Sequence, residues 1–407
     1  MTENNLKDLM PNLERFYSRF HSYFCRSEGR KWGEKYIHGL LMPIERRNVE
    51  NIAEEVGAPP RKLQEFVSNS PWDDRGCINE LQKIVGENFG SPNGVLVLDD
   101  TGFPKKGEFS AGVGRQYSGT LGRRDNCQIG VFLGYATLYG HTLVDRRLYI
   151  MQQWFEAESA SRRARAGVPE EIGFLTKLEL GAQMLQEADR NGHLLFQWVT
   201  GDAAYGECHQ LRRTVDAMNK WYCFEVASSA QVWLEKPLLE VPSPRSKKGR
   251  KPSKPRPVEN SPESISVAEA TRQFSETDWI RHRVCDGAKV PREYEFVRLR
   301  VVEKRNKKPG PEAWMMARRP IGGGGSLDKI KYYLSSAPTN VSLAEMAWVG
   351  CLRWTIEENF ELAKGETGLD HYEVTRYRGW YHHITLSMMA LTFLKTVQRE
   401  WQKKNVD

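Results

Sequence analysis

The sequence predicts a mixed α/β fold, on three observations. Short apolar runs at residues 95–98, 129–138, 194–200 and 221–226 have the length and composition of strands. Amphipathic helical spacing lies between them, clearest over 170–190. Helical periodicity also dominates roughly the first ninety residues and the stretch after residue 343. Strands alternating with helices specify layers of both kinds packed on one another.

The N-terminal part, residues 1–92, reads as helical. Leu13, Phe16, Phe20, Tyr23 and Phe24 recur at helical spacing, and a second set follows: Ile44, Val49, Ile52 and Val56, then Gly57, then Leu63 and Phe66. Two short amphipathic helices split by a glycine turn have the outline of a helix-turn-helix, with a plain helical hairpin as the alternative. The run at 95–98 ends in Asp99-Asp100 and reads as a buried strand that stops there. Residues 109–125 are glycine-rich and polar. The run at 194–200 closes on Gly201-Asp202.

A different texture fills residues 229–335. Residues 242–257, PSPRSKKGRKPSKPRP, are rich in proline and cations and cannot bury a core. Strand patterns follow at 280–284, 294–302 and 314–317, so the segment reads as a β-rich insertion carrying a basic loop. Residues 343–364 and 384–401 then read as two long helices, the second of them core. The division expected is 1–92, then 93–228 joined to 336–407, with 229–335 inserted.

At 407 residues the chain suits two or three domains. No apolar run approaches a membrane span and the first residues lack a signal-peptide core, so a soluble, cytoplasmic protein without a membrane partner is expected. Seven dispersed cysteines, without C-x-x-C or zinc spacing, fit reduced thiols, with Cys127, Cys223 and Cys351 in apolar runs. The net charge of +7 allows nucleic-acid binding without establishing it; the clustering of the cations is more informative.

Three acids stand out. Asp100 and Asp202 close apolar runs, and residues at strand ends line the crevice of an α/β sheet. Glu357 lies in a helical stretch four residues after Arg353 and seven before Lys364, which places all three on one face. Such a set suits a centre that holds divalent metal and grips phosphate. Two Mg²⁺ ions about 4 Å apart activate a water or 3′-hydroxyl and stabilise the leaving oxygen, and hard cations prefer carboxylate oxygens. Taken singly, each acid has a bland reading, as a cap, a turn former or half of a surface ion pair. The ordered combination is what is specific.

The combination is V-L-V-L-D-D-T-G-F-P-K-K-G from 95, R-Q-Y-S-G-T-L-G-R-R-D-N-C-Q-I-G-V from 115, V-T-G-D-A-A-Y-G from 199 and R-W-T-I-E-E-N-F-E-L-A-K from 353. Together these resemble bacterial insertion-sequence DDE transposases of the insertion sequence four superfamily, nearest its seven-oh-one branch, over about residues 44–395. The resemblance implies a ribonuclease-H-like, retroviral-integrase-like catalytic core interrupted by a β-rich insertion, with an N-terminal helical DNA-binding domain. It implies that Asp100, Asp202 and Glu357 are both catalytic residues and metal ligands, for two Mg²⁺ ions that Mn²⁺ can replace. The family's Tyr-Arg-Glu-Lys signature falls on Gly350, Arg353, Glu357 and Lys364, so Arg353 and Lys364 are expected on DNA phosphates, while glycine stands in place of the tyrosine that helps hold a hairpinned end. Adjacent strand residues face opposite ways, so Asp99 is expected to point away from Asp100.

Further DNA contacts are expected from Lys105, Lys106, Arg115, Tyr117, Arg123 and Arg124, and from Lys247, Lys248, Arg250 and Lys251 in the basic loop. Trp314 is a candidate for stacking on an unpaired base or for the core. His382 and His383 could bind metal, but a structural role is the better reading. The partners expected are double-stranded DNA, as terminal inverted repeats and target, and a second copy of the chain on DNA. A metal-dependent nuclease that cuts without joining, and a non-catalytic DNA-binding protein, are the alternatives.

Overall fold

The computed structural model describes residues 9–119, 122–241, 255–258, 260–286, 291–306, 308–322 and 329–404. It is mixed α/β and divides into two compact units, Met1–Gln197 with Arg353–Asp407, and Trp198–Leu352.

The first unit opens with helices α1 (Leu9–Ser18), α2 (Ser27–Leu41), α3 (Val49–Glu55), α4 (Pro60–Ser68) and α5 (Asp74–Phe89). Local chemistry sets their ends. Asn48 caps α3 by accepting from the Asn51 amide at 2.9 Å, Gly57 turns the chain at φ 57°, and Pro60 supplies the fixed φ that starts α4. These helices fall in the same compact unit as the strands that follow them. They bury Tyr36, Phe66 and Val67 in the same unit as the C-terminal helix α13 (Tyr377–Lys404). His382 on that helix hydrogen-bonds the Val67 carbonyl at 2.9 Å and stacks on Trp72 at 4.0 Å.

Strands β1 (Val95–Pro104), β2 (Gly114–Ser118), β3 (Arg123–Thr137) and β4 (Gly140–Tyr149) form the antiparallel sheet of this unit. β3 pairs with β1, β2 and β4. β1 does not stop at Asp100. Its apolar side chains end at Leu98, but the ladder with β3 runs on to Pro104↔Cys127 because backbone pairing is indifferent to what the side chains carry. β4 has no counterpart in the sequence reading. Its centre, Asp145-Arg146-Arg147, disguises a buried strand: Asp145 is fully buried, with Arg75 at 2.7 Å and Arg147 at 2.8 Å. The sheet is covered on both faces. Arg146 reaches Asp74 of α5 and Thr385 of α13, while Arg147 reaches Glu187 of helix α7 (Lys177–Asn191), which follows the short α6 (Ala160–Arg165).

The second unit holds β5 (Trp198–Gly201) parallel to β6 (Trp221–Val226), joined through α8 (Ala203–Gly206) and α9 (His209–Ala217). The short strands β7 (Gln231–Trp233), β8 (Leu239–Glu240), β9 (Arg256–Pro257) and β10 (Ile265–Ser266) and helix α10 (Val267–Thr271) come next. The long strands β11 (Ile280–Asp286), β12 (Pro291–Arg305) and β13 (Lys308–Arg319) then lead to β14 (Lys331–Ser335), which pairs back to β6. The expected strand patterns at 280–284, 294–302 and 314–317 all fall inside these strands. Helix α11 (Leu343–Cys351) ends this unit and α12 (Trp354–Thr367) begins the returning chain, so the single helix expected over 343–364 is two.

Candidate active site

β1 places its two aspartates on opposite faces. Across the ladder, Asp99 pairs with Phe132 and Phe132 with Arg146, whereas Asp100 pairs with Val131 and Val131 with Arg147. Residues paired in an antiparallel ladder share a face. Asp99 therefore lies on the face covered by α12 and α13, and Asp100 on the face covered by α7.

The contacts agree. The Arg353 guanidinium, at the start of α12, stands 3.4 Å from the Asp99 carboxylate and 2.7 Å from Glu357 one turn on. Lys364, two turns later, donates to Thr101 Oγ1 at 2.8 Å. Burial pulls the Lys364 amine below its usual range. Asp100 instead accepts from Lys177 Nζ at 2.8 Å. Lys177 is placed by a capping box in which Thr176 and Glu179 satisfy one another's backbone amides. Sequence reasoning missed Lys177: T-K-L-E marks a helix start but says nothing of a partner 77 residues away.

In the second unit, Asp202 follows β5 and caps α8, accepting from the Ala204 and Tyr205 amides at 3.0 and 3.2 Å. Among the described residues no group of three or more His, Cys, Asp or Glu side chains is gathered to hold a metal ion. Carboxylates are the donors a hard divalent cation takes, but Asp100 and Glu357 lie on opposite faces of the sheet, each paired with a protein cation, and the carboxylate on Glu357's face is Asp99.

The model of the DDE superfamily endonucleases matches residues 15–292, more than half of the chain. The chain belongs to the DDE endonuclease superfamily. The matched segment holds Asp100 and Asp202; Glu357 lies beyond it. The chain is also 30% identical over 202 residues to a protein of Microchaete diplosiphon described as a probable transposase for insertion sequence element IS701. The similarity covers 49% of each chain, so it spans about half the length of that relative.

The other expected DNA-contacting residues fare differently. On the β2–β3 hairpin, Arg115, Tyr117, Arg123 and Arg124 are all exposed. Tyr117 lies opposite Arg124, and Arg115 opposite Asn126, so Arg115, Tyr117 and Arg124 share one face. Arg123 is turned the other way and paired with Asp125 at 2.9 Å. Lys106 is exposed, but Lys105 points inward: its amine donates to the Tyr372 carbonyl at 3.1 Å and sits 3.5 Å from the Tyr372 ring centroid. Burial pulls its pKa down to about 8. Trp314, in the second unit, is half-buried, with the Arg298 guanidinium 4.1 Å from its ring and its indole N–H on Pro338 O. Lys247, Lys248, Arg250 and Lys251 lie outside the described residues.

Gly350 is explained by packing. It is buried in α11, and an added Cβ would stand 3.1 Å from Met316 and 3.3 Å from Tyr333. His382 and His383 are fixed in the core. Gly368 O can only accept, so His383 Nε2 carries the proton and Nδ1 accepts from Tyr36. Six free thiols are described, with Cys77, Cys127, Cys223 and Cys351 buried. No described helix is long and apolar enough to cross a membrane.

Proposed function

We propose that this DDE endonuclease is an insertion-sequence transposase. It binds terminal inverted repeats, excises the element and joins it to target DNA through Asp100, Asp202 and Glu357 on a ribonuclease-H-like core with a β-rich insertion. The observation that carries this is the family match together with the four ordered motifs, the last of which sits on a helix tied to β1 by Arg353 and Lys364. The relative's description as a probable transposase supports joining as well as cutting.

The carboxylates would hold two Mg²⁺ ions, which activate the attacking hydroxyl and stabilise the leaving oxygen when bound. The chain's own groups do the rest. Arg353 and Lys177 hold Glu357 and Asp100 as ordered anions, and both cations become available for phosphate once those carboxylates are otherwise engaged. Lys364 keeps α12 in register with β1. Arg115, Tyr117 and Arg124 offer backbone and stacking contacts along one face of the hairpin.

Glu357→Gln keeps shape and removes the anion. It is expected to lower cleavage of end-bearing DNA in Mg²⁺ below detection while leaving DNA binding unchanged. Wild-type cutting by this variant would reduce Glu357 to a surface ion pair. Strand-transfer assays on the wild type distinguish the transposase from a nuclease that only cuts.

A second reading concerns the first carboxylate alone. Asp99 shares Arg353 with Glu357 and lies on the face that α12 covers, so Asp99 is the alternative first ligand.

A further inference from the structure

The first unit contains a cavity of about 670 Å³ that the proposed chemistry does not use. It opens between α7, α13 and the segment at 167–175, at the β4 side of the sheet. Its volume lies within the roughly 300–1,000 Å³ typical of small-molecule sites.

Its lining is of three kinds. Leu148, Ile150, Ile172, Leu175 and Leu180 make apolar walls. Tyr377 and Tyr381, one turn apart on α13 with ring centroids 4.8 Å apart, add a half-buried aromatic face. The third kind is arginine. Arg75, Arg146 and Arg147 are paired with Asp74, Asp145 and Glu187. Arg146 is 1% exposed, and its Nε is buried with no hydrogen-bond partner. Arg376 and Arg378 stand exposed on the cavity lining, each held by one nitrogen on Asn69, at 2.7 and 2.9 Å. Among the described residues neither has a carboxylate within ion-pair distance. Acids balance the three inner arginines, so the uncompensated charge is on these two.

Flat apolar and aromatic walls beneath two guanidinium forks that no described carboxylate neutralises match a ligand with a planar ring at one end and an anion at the other. A plain anion would leave the walls unused, and an apolar ligand would leave the arginines so. We propose that this cavity binds a nucleotide unit, its base beside Tyr377 and Tyr381 and its phosphate on Arg376 and Arg378. The unit comes either as a free nucleotide or as an unpaired nucleotide of a bound strand. The cavity lies at the β4 edge of the sheet and meets both faces: the ladder runs from Asp100 through Val131 to Arg147 and from Asp99 through Phe132 to Arg146, and both arginines line it. The binding does not depend on the proposed metal-ligand assignment.

Two variants of the whole chain test it. Arg376→Ala/Arg378→Ala removes the phosphate contacts from exposed positions. Gly173→Phe obstructs the cavity from its lining, where an added Cβ meets nothing within 4 Å. Thermal unfolding checks that both variants fold. Deoxyadenosine monophosphate is titrated by calorimetry. In parallel, duplex DNA bearing one unpaired 2-aminopurine is followed by fluorescence. Saturable binding of the free nucleotide, or quenching of the unpaired base, weakened roughly tenfold or more in both folded variants, supports the site and names its source. No binding of either probe, or binding unchanged in both variants, overturns it. Glu357→Gln should bind both probes as the wild type does, so failure of the catalytic assignment leaves this result readable.

Discussion

Asp99 and Asp100 are neighbours in sequence and, by strand geometry, members of two different environments. Asp99 meets Arg353, and Asp100 meets Lys177. Conservative substitution separates their roles. Asp100→Asn is expected to abolish DNA cleavage, and Asp99→Asn to lower it only through the position of Arg353, with residual activity measurable on end-bearing duplex. The reverse order of severity would move the first carboxylate to Asp99. Lys105 shows the same local blindness in another form: the run P-K-K-G reads as two surface cations, yet one amine turns inward onto the Tyr372 ring. Alternation along a chain reveals that neighbours differ and leaves open which of them meets solvent.

Helix α13 is legible as an apolar helix, and its two histidines give it a pH response. Burial holds His382 at about 4 and His383 at about 3, against about 6.5 in an unfolded chain. Between those values the unfolded chain binds protons that the folded one refuses. Stability is therefore complete at neutral pH and is lost as pH falls from about 6.5 towards 3–4. Each histidine contributes a slope of about 1.4 kcal/mol per pH unit in that window. Urea unfolding at pH 7, 6 and 5 is expected to show this, with one histidine's share missing in His383→Gln. An unchanged slope in that variant would mean that His383 is not held neutral. β4 is the opposite case. A strand with Asp-Arg-Arg at its centre is invisible to hydrophobic patterning because its burial rests on ion pairs supplied by α5 and α7, elements distant in sequence.

For the whole molecule, two expectations concern DNA. Residues 242–257 carry seven cations, and deleting them should flatten the log–log salt dependence of DNA binding by about 0.9 for every phosphate they neutralise. A slope that does not change would leave the segment as a solubilising stretch. Coupled cutting of two element ends calls for two chains related by a two-fold axis, which use one surface twice. Light scattering on terminal-repeat DNA is expected to find a pair of chains holding two ends. One chain per end, under conditions where joining proceeds, would exclude the pair.

The sequence alone determined the mixed α/β class, the strand patterns at 95–98, 129–138, 221–226, 280–284, 294–302 and 314–317, the amphipathic helices and the four motifs that carry the family. All of these are written in local periodicity and in short runs of chemically specific residues. The tertiary structure decided what those patterns could not hold. It continued β1 past Asp100, broke the helix at Leu352, buried β4 on its ion pairs and packed Gly350 against Met316 and Tyr333. It also put Lys177 on Asp100 and gathered arginines from α5, β4 and α13 around one cavity. Each of these depends on a partner tens to hundreds of residues away, and the free energy of such an interaction is set by burial and approach in three dimensions, which no window of sequence contains.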